Sequence, residues 1–518
     1  MNKKILIPII VILIIAAGIG AYFILQKPAP EPQIEKCGDG ICDEFEKANP
    51  NLCPKDCEEE PKPTPKSSAT PTPSSYQDSP FGISIAGFLN DQGDDGFSGE
   101  SLSLNYMKEV GAGTARFMSK WGGLHWEQVE PKKGVFNWSI PDEHYLKAKE
   151  NGLDIFINIY PGSPNWDSNS EYTHDYPNDM AEYLKFVKLA AERYDGDGIE
   201  DAPGNPKVNT WELLVEVERG YQNQGNKWWG GTPEEYADLF AKTYEAIKSA
   251  NPDATVMTYG ANIFSNIEKG TIDIITKPVL KEIKRLTKDN PNFSFVYAIH
   301  YYETSDLNEY REIIEYTRAM LDDYGFENTP IAITDMAPFT KKADPLKEQK
   351  LAKDIVITYV IGLAYNIKMI IWAQLSDGLE YGKNFEAGII SNPSMTPQDK
   401  NSYKNLGFYT YKLMTEKLAG SDWNNIQKVQ ESGGVYIYRF TKNGKPIWVA
   451  WNDNSQEKQI TISGITSNQV KITEAVPKYE SGKEVTDYSI TFQTETKSAS
   501  GGKITITLGE KPVFVEEQ

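Results

Sequence analysis

Eight short apolar segments, each followed by a polar or amphipathic stretch, fill the middle of this chain and constrain its fold more than any other feature. Strands buried in a parallel sheet are short apolar runs, and the helices that connect them carry apolar residues at intervals of three and four. Eight such units over roughly 340 residues suit a (β/α)8 barrel. The sequence therefore predicts an α/β TIM barrel. Its strands are expected at 81–86, 113–118, 153–160, 208–216, 254–260, 293–300, 330–335 and 369–375.

Amphipathic helices are expected between these strands. The segment 233–251 has the clearest start signal, because Thr232 is a suitable N-cap and Pro233 occupies the first turn. A doubly wound open sheet is the alternative arrangement of alternating strands and helices. It is disfavoured, since no glycine-rich phosphate loop follows an early strand. The other helices are expected at 142–152, 307–325 and 345–366.

After residue 420 the pattern changes to short strands in which polar and apolar residues alternate. Such strands in succession are typical of a β-sandwich. We therefore expect the barrel at residues 79–420 and a β-sandwich at 421–518. Packing support for the barrel is the expected role of the second unit, and carbohydrate binding is the alternative. Its strands are expected at 435–440, 446–452, 458–463, 470–475 and 503–517.

Residues 1–27 have the composition of a membrane anchor. Lys3 and Lys4 precede an uncharged apolar run over residues 5–25, and ~20 apolar residues suffice for a helix to span a bilayer. A cleaved signal peptide is the alternative, but the run exceeds a usual signal core and no clear small-x-small cleavage site follows it. Because flanking lysines stay in the cytoplasm, we expect a single-pass protein of the cell membrane with its other domains extracytoplasmic.

All four cysteines lie in a module at residues 28–58: Cys37, Cys42, Cys53 and Cys57. This clustering predicts two disulfides, with three alternative pairings. Zinc ligation is disfavoured, since the spacings match no usual zinc pattern and no histidine is nearby. The module resembles short CGDGxC…CPxDC repeats of exported prokaryotic proteins, and its acidic residues are suited to bind calcium through oxygen atoms. Residues 59–78, rich in Pro, Ser and Thr, predict an extended linker.

The charge of the chain argues against a nucleic-acid partner. Asp and Glu number 73 against 53 for Lys and Arg, which gives a net charge of −20, whereas nucleic acids bind basic surfaces. The barrel sequence carries no metal-ligand pattern and implies no cofactor. We therefore expect neither in the barrel.

Two carboxylates stand at strand ends where a barrel carries its chemistry. Glu216 ends the fourth predicted strand and Asp335 the seventh, and the active sites of TIM barrels lie at the carboxyl ends of the strands. Two carboxylates that face each other are the minimum equipment for glycoside hydrolysis. The candidate substrate-binding residues nearby are Arg116, Trp126, Tyr160, Trp166, His300, Tyr301 and Trp372.

Residues 126–166 and 228–260 carry two ordered motifs, WEQVEPKKGVFNW…PGSPNW and WWGGTPEEYADLFAKTYEAIK…PDATVMTYG. With these motifs the chain from about Phe81 to Gly420 resembles the clan A glycoside hydrolases, the β-xylosidase and β-galactosidase-like superfamily. The resemblance implies a glycosidase barrel that acts on oligo- or polysaccharides. It further implies that Glu216 is the general acid/base and Asp335 the nucleophile.

The resemblance assigns roles to other residues at the strand ends. Arg116 matches the arginine that orients the nucleophile, and His300 with Tyr301 matches the pair that borders the sugar. Trp372 matches the platform under the sugar ring. In this mechanism Asp335 is held ionised by Arg116.

The chain departs from the superfamily pattern at two positions. Val215 replaces the asparagine that binds the sugar 2-hydroxyl, and Asp335 is one methylene shorter than the usual glutamate. Retaining enzymes keep their carboxyl groups ~5–5.5 Å apart and inverting enzymes ~6.5–9.5 Å apart. Three outcomes stay open: retaining hydrolysis, inverting hydrolysis, or an inactive barrel that binds carbohydrate at the cell surface. A cell-wall structural protein is a further alternative.

The sequence also predicts the protonation of Glu216 and the environment of Glu218. Glu216 is expected to be kept protonated by its apolar neighbours and by the nearby anion Asp335. Glu218, which precedes Arg219, is expected to be a solvated loop charge.

Overall fold

The computed structural model describes residues 79–518, except 86–96, 119–121, 163, 168–173, 220–227, 303–306, 338–345, 381–382, 393–401, 455 and 484. The predicted membrane anchor, the cysteine-rich module with its disulfides and calcium, and the linker all lie outside these residues. In the described part of the chain, no helix combines the length and the apolar character needed to cross a bilayer.

The barrel is a curled sheet whose strands all pair in parallel. Its hydrogen-bonded order is β6-β5-β4-β2-β1-β10-β9-β8-β7, with β3 beside β4. The strands are β1 (Phe81–Ser84), β2 (Thr114–Phe117), β3 (Leu124–His125), β4 (Asp154–Tyr160), β5 (Val208–Leu213), β6 (Thr255–Met257), β7 (Ala261–Asn262), β8 (Tyr297–Tyr301), β9 (Ile331–Met336) and β10 (Ile367–Trp372). The strands β6 and β7 are two parts of one segment, and a bridge from Met257 to Val296 joins this segment to β8. The sheet therefore closes into a barrel of eight strand segments. All eight predicted strands are confirmed.

Helices cover the outside of the barrel. They are α1 (Phe97–Glu109), α2 (Trp126–Val129), α3 (Ser139–Glu150), α4 (Met180–Arg193), α5 (Pro233–Ala250), α6 (Ile263–Glu268), α7 (Lys277–Thr287), α8 (Leu307–Asp323), α9 (Lys347–Ala364) and α10 (Leu406–Leu418). The predicted cap of α5 is confirmed. Thr232 accepts a hydrogen bond from the Glu235 amide, and the Glu235 carboxylate accepts one from the Thr232 amide.

Two layers of apolar side chains hold the barrel together. Alternate strand residues point outward to the helices, and the others point into the cylinder. Inside lies a small separate cluster of Phe156, Met257, Ala298, Ala332 and Ile371. Its small members leave room above this layer, toward the carboxyl ends of the strands, for polar side chains.

The C-terminal unit consists of antiparallel strands. Six form one sheet in the order β15-β16-β17-β22-β19-β20, and β18 pairs with β21. The strands are β11 (Gly378–Glu380), β12 (Lys383–Phe385), β13 (Ile390–Ser391) and β14 (Tyr403–Lys404) at the end of the barrel, followed by β15 (Gln427–Ser432), β16 (Val435–Lys442), β17 (Lys445–Asn452), β18 (Lys458–Ser463), β19 (Gln469–Glu474), β20 (Thr494–Ser498), β21 (Lys503–Leu508) and β22 (Val513–Glu517). The two sheets enclose a core of their own that includes Ile437, Trp448 and Ile506.

The central strands of the six-stranded sheet are buried on both faces. On β16, Val435 and Ile437 belong to the core between the two sheets, whereas Tyr436, Tyr438 and Phe440 belong to the core shared with the barrel. The second unit therefore packs against the barrel through one face of the central strands of this sheet, as expected for a supporting role.

The buried carboxylate of Glu348 stabilises the contact between the barrel and the C-terminal unit. It accepts hydrogen bonds from the Tyr403 hydroxyl at 2.8 Å, from the Leu406 amide at 3.0 Å and from the Gly482 amide at 2.7 Å. The carboxylate thus joins α9, the start of α10 and a loop of the C-terminal unit.

Glu348→Ala is expected to lower the free energy of unfolding by about 3 kcal/mol, because three buried or half-buried donors lose their acceptor. Glu348→Gln, which keeps the shape but turns one acceptor atom into a donor, is expected to lose about half as much. Denaturant unfolding followed by circular dichroism measures both. A loss below about 0.5 kcal/mol in the alanine variant would contradict this role of Glu348.

Candidate active site

Arg116, at the carboxyl-terminal half of β2, occupies the centre of the polar layer inside the barrel. Its side chain is fully buried, with Nη2 2.6 Å from Glu212 Oε2 and Nη1 2.8 Å from Asp335 Oδ1. Burial alone would lower the pKa of the guanidinium, but the negative charges of Asp335 and Glu212 outweigh it and raise the pKa above its ordinary value. One buried cation therefore balances two buried carboxylates.

Glu212 is a residue of this site to which the sequence analysis gave no role. Besides Arg116, Asn158 Nδ2 donates to its carboxylate at 2.8 Å and Thr334 Oγ1 at 2.7 Å. The sequence could have indicated this role, because Glu212 stands in a strand between two apolar residues, Trp211 and Leu213, that are buried. A carboxylate buried in such a strand must be paired with a cation or with hydrogen-bond donors.

A register shift in β9 brings Asp335 to the site. Ile333 pairs with Ile299, but the next pair is Asp335 with His300, so β9 has one extra residue between them. With this bulge, Thr334 contacts Glu212 and Asp335 contacts Arg116, although adjacent strand residues normally face opposite sides. The irregularity places two successive polar side chains inside the barrel.

Glu216 lies where the chain turns sharply after β5. Leu214 and Glu216 both have positive φ angles, of 64° and 41°, and the Leu214 carbonyl accepts a hydrogen bond from Asn158 Nδ2 at 3.1 Å. A non-glycine residue with positive φ is uncommon and is frequent at functional sites. The turn directs the Glu216 side chain to His300.

His300 Nδ1 links the two predicted carboxylates. It is 3.0 Å from Glu216 Oε1 and 3.8 Å from Asp335 Oδ2. Because both distances end on the same nitrogen, the two carboxylate oxygens lie within about 7 Å of each other, a span compatible with glycoside hydrolysis. The structure therefore brings Glu216, Asp335, Arg116 and His300 together at the carboxyl ends of the strands.

Tyr302, not Tyr301, completes this group. Tyr302 Oη donates to Asp335 Oδ2 at 2.8 Å and lies 3.1 Å from His300 Nδ1. Since the hydroxyl proton goes to Asp335, the tyrosine oxygen is an acceptor toward His300, which assigns a proton to Nδ1. The ring of Tyr301 packs instead against Tyr310 of α8 at 4.9 Å, because alternate residues of a strand face opposite sides.

The expectation that Glu216 is kept protonated is wrong. Burial raises the pKa of Glu216, but the hydrogen bond and charge of His300, with the charges of Arg219 and Lys269, outweigh it and lower the pKa below its ordinary value. The pKa of His300 is raised correspondingly: burial lowers it, and Asp335 and Glu216 raise it by more. Glu216 and His300 therefore form an ion pair.

The expectation that Glu218 is a solvated charge is also wrong. Glu218 is buried, its Oε1 accepts a hydrogen bond from the Asn262 amide at 2.8 Å, and burial together with the charge of Glu216 raises its pKa to about 7. A second carboxylate of perturbed pKa thus lies two residues beyond Glu216.

Trp372 does not lie under a sugar site. Its side chain is fully buried, its indole nitrogen donates to the Ala387 carbonyl at 2.8 Å, and its ring stacks on Tyr359 of α9. Trp372 therefore belongs to the core between barrel and helices, which corrects the assignment as a platform.

Trp126 and Trp166 pack against each other rather than against the carboxylates. Their rings meet edge to face at 5.3 Å, and Trp126 also contacts Tyr183 of α4 at 5.4 Å. Both indole nitrogens donate to Glu130, that of Trp126 to the carboxylate and that of Trp166 to the carbonyl. They support the loop after β4.

Tyr160, at the end of β4, lies within a stack of rings at the barrel mouth. His125 stacks on its ring at 4.2 Å, the His174 ring lies 5.0 Å from Tyr160 and 6.1 Å from His125, and the Tyr160 hydroxyl donates to the Met118 carbonyl. Trp228 follows His174 in the same stack at 5.8 Å. Tyr160 therefore forms part of the wall of the mouth.

One group of acidic side chains in the described residues is compact enough to hold a metal ion, namely Asp195, Asp197 and Asp201. It lies in the loop between α4 and β5, at the amino ends of the strands. The loop is therefore separate from the carboxylate pair.

Comparison with solved structures identifies the fold. A β-xylosidase from Caulobacter crescentus superposes with a TM-score of 0.56 at 13% identity, over 85% of this chain and 97% of its own. An α-L-arabinofuranosidase from Thermotoga maritima gives 0.56 at 12% identity, over 84% and 95%. A GH30 endoxylanase from Clostridium papyrosolvens gives 0.53 at 14% identity, over 85% and 96%. The chain therefore shares its fold, a parallel barrel followed by antiparallel sheets, with these three proteins.

Two further comparisons concern the sequence. A model of the RET cysteine-rich domain matches residues 25–75, a segment that contains the four cysteines. No curated protein matches the chain.

Gly260→Ala is expected to lower the free energy of unfolding by about 1–3 kcal/mol, because a Cβ atom at this position would collide with His300 Nε2 and displace the ring. Gly509→Ala is the control, since a Cβ there meets no atom within 4 Å. Thermal unfolding of both variants measures the effect. Equal stability of the two would show that His300 is not confined by Gly260.

Glu218→Gln is expected to stabilise the protein in a pH-dependent way. The folded protein binds the Glu218 proton more tightly than the unfolded chain, so the wild type loses stability as the pH rises from about 4.5 to about 7. The variant should therefore gain nothing below pH 4.5 and about 3 kcal/mol above pH 7. Denaturant unfolding across this range tests it, with Glu245→Gln on the exposed face of α5 as control. A gain that does not change with pH would contradict the burial of this charge.

Proposed function

We propose that this protein is a glycoside hydrolase that cleaves O-glycosidic bonds of oligo- or polysaccharides with Glu216 and Asp335 as its carboxylate pair. The observation that carries the proposal is the position of His300 Nδ1, 3.0 Å from Glu216 and 3.8 Å from Asp335 at the carboxyl end of the barrel. The fold shared with solved glycoside hydrolases supports it.

Asp335 is the proposed nucleophile of a retaining reaction. Arg116 donates to one of its oxygens and Tyr302 to the other, so the carboxylate is held in one orientation while lone pairs on both oxygens stay available. The extra residue in β9 offsets the shorter aspartate side chain by changing the backbone register beside His300. This supports attack of Asp335 on the anomeric carbon, which forms a glycosyl–enzyme ester.

Glu216 is the proposed proton donor to the leaving oxygen. Glu216 Oε1 is paired with His300 Nδ1, which lies 3.0 Å away and carries a proton. A sugar bound over the pair excludes water, and desolvation favours the neutral carboxylic acid. The proton then moves from His300 to Glu216, and Glu216 donates it to the departing oxygen. In the second step Glu216 takes a proton from the attacking water, whose oxygen bonds to the anomeric carbon while the ester bond to Asp335 breaks and frees the carboxylate.

A non-catalytic carbohydrate-binding protein is the second candidate. Val215 is buried, bridges to Gly260 and offers no side-chain hydrogen bond to a sugar hydroxyl, and Trp372 is packed away from the mouth. Val215 and Trp372 therefore supply neither the hydrogen bond nor the ring platform that would stabilise the transition state. For either function, the N-terminal apolar run and the cysteine-rich module support an anchored protein exposed outside the cytoplasm.

Hydrolysis of a panel of aryl glycosides and polysaccharides tests the proposal. Glu216→Gln and Asp335→Asn are each expected to reduce kcat by about 100- to 10,000-fold, with Glu245→Gln unchanged. The anomeric configuration of the first product, followed by NMR, should be that of the substrate; inversion would make Asp335 a base. Absence of turnover with sugar binding intact would overturn hydrolysis in favour of the second candidate.

A further inference from the structure

Arg219 is a cation in loose contact with the proposed proton donor. Its Nη1 lies 3.5 Å from Glu216 Oε2, and 41% of its side chain is exposed. Arg116, by comparison, is fully buried with contacts of 2.6 and 2.8 Å. Arg219 is therefore accessible to a ligand in a way that Arg116 is not.

Trp228 fixes the position of this guanidinium. The Arg219 guanidinium lies 5.5 Å above the Trp228 ring, and the Trp228 amide donates to the Arg219 carbonyl at 3.2 Å. Trp228 itself packs against His174 in the ring stack of the mouth. A guanidinium supported on an aromatic face loses little conformational freedom when it binds a ligand.

Two cations besides His300 act on Glu216, although the chain carries a net charge of −20. Both Arg219 and Lys269 contribute to the lowered pKa of Glu216. Lys269 follows α6 and is exposed, with its ammonium group on Ser265 Oγ. In an acidic protein, two cations beside the donor carboxylate attract anionic ligands to that point.

We propose that Arg219 selects substrates that carry an oxyanion, a carboxylate or a sulfate, on a sugar bound next to Glu216. This inference rests on the proposed glycoside hydrolysis. A planar guanidinium binds such groups through two parallel hydrogen bonds, which neutral sugar hydroxyls do not reproduce. The substrate class is therefore acidic oligo- or polysaccharides.

Binding of the oxyanion also prepares Glu216 for its role. Arg219 stabilises the ionised form of Glu216. Once an oxyanion occupies the guanidinium, this stabilisation weakens, and the pKa of Glu216 rises toward the range in which the residue holds a proton. An acidic substrate thus binds more tightly and also makes Glu216 a better proton donor. We therefore expect selectivity for acidic substrates in kcat as well as in KM.

Kinetics with matched neutral, uronate-bearing and sulfate-bearing oligosaccharides test the inference on the full-length protein. Wild-type kcat/KM is expected to be about 10- to 100-fold higher for an acidic substrate than for its neutral counterpart. Arg219→Gln should remove this preference, and Arg219→Lys should keep part of it. The uronate and sulfate arms show which oxyanion is preferred.

Arg193→Gln is the matched control. Arg193 also covers a tryptophan, Trp138 at 5.7 Å, and pairs with a carboxylate, Asp142 at 2.6 Å, but it lies at the end of α4 away from the pair. This variant should keep the preference for acidic substrates. Equal kcat/KM for acidic and neutral substrates in the wild type, or an equal loss for both in Arg219→Gln, would overturn the inference and leave hydrolysis intact.

Calorimetry separates the two proposals if no substrate is cleaved. Acid-selective binding that Arg219→Gln abolishes would support the role of Arg219 while hydrolysis fails. Binding without preference for acidic oligosaccharides, or no binding, would overturn it.

Discussion

The buried ion pairs of Arg116 are the interaction on which the rest of the site depends. The side chains of Arg116 and Glu212 are fully buried, so each charge is stabilised by the other and by fixed hydrogen bonds. Removal of one partner would leave an uncompensated buried charge, at a cost of about 3–5 kcal/mol. Through these pairs β2, β5 and β9 are joined at their carboxyl ends. The position of Asp335 is therefore set by the barrel itself rather than by a loop.

The two carboxylates of the proposed pair have different environments, and this difference suits different roles. Asp335 is held by buried Arg116 and by Tyr302. Glu216 is held by titratable His300 and by Arg219, which is partly exposed. The charge of Glu216 can therefore respond to a ligand, whereas that of Asp335 is compensated from within the barrel. In hydrolases with two catalytic carboxylates, different environments usually give the two groups different pKa values, so that one acts as the acid and the other as the nucleophile.

Much of the fold and part of the site could be predicted from the sequence. The eight strands, the cap at Thr232 and the meeting of Glu216 with Asp335 follow from local patterns and from the rule that parallel strands end at one edge. The choice of Tyr302 over Tyr301 could not be predicted, because it depends on which face each residue presents at the end of β8. The strand position of Trp372 and the resemblance to the superfamily both predict it at the site, yet its ring points to α9. The ionised state of Glu216 follows from His300, a neighbour in space that lies 84 residues away in the chain.

The sequence by itself determined the barrel strands, the helices between them and the acidic residues at the strand ends, because these depend on periodicities within a few residues. Tertiary structure decided how the polar side chains are paired. The contacts of Arg116 with Glu212 and Asp335 span 96 and 219 residues, and the extra residue of β9 depends on its register against β8. Such contacts form only when the barrel closes, since closure brings distant strands together and excludes the water that would otherwise solvate each charge.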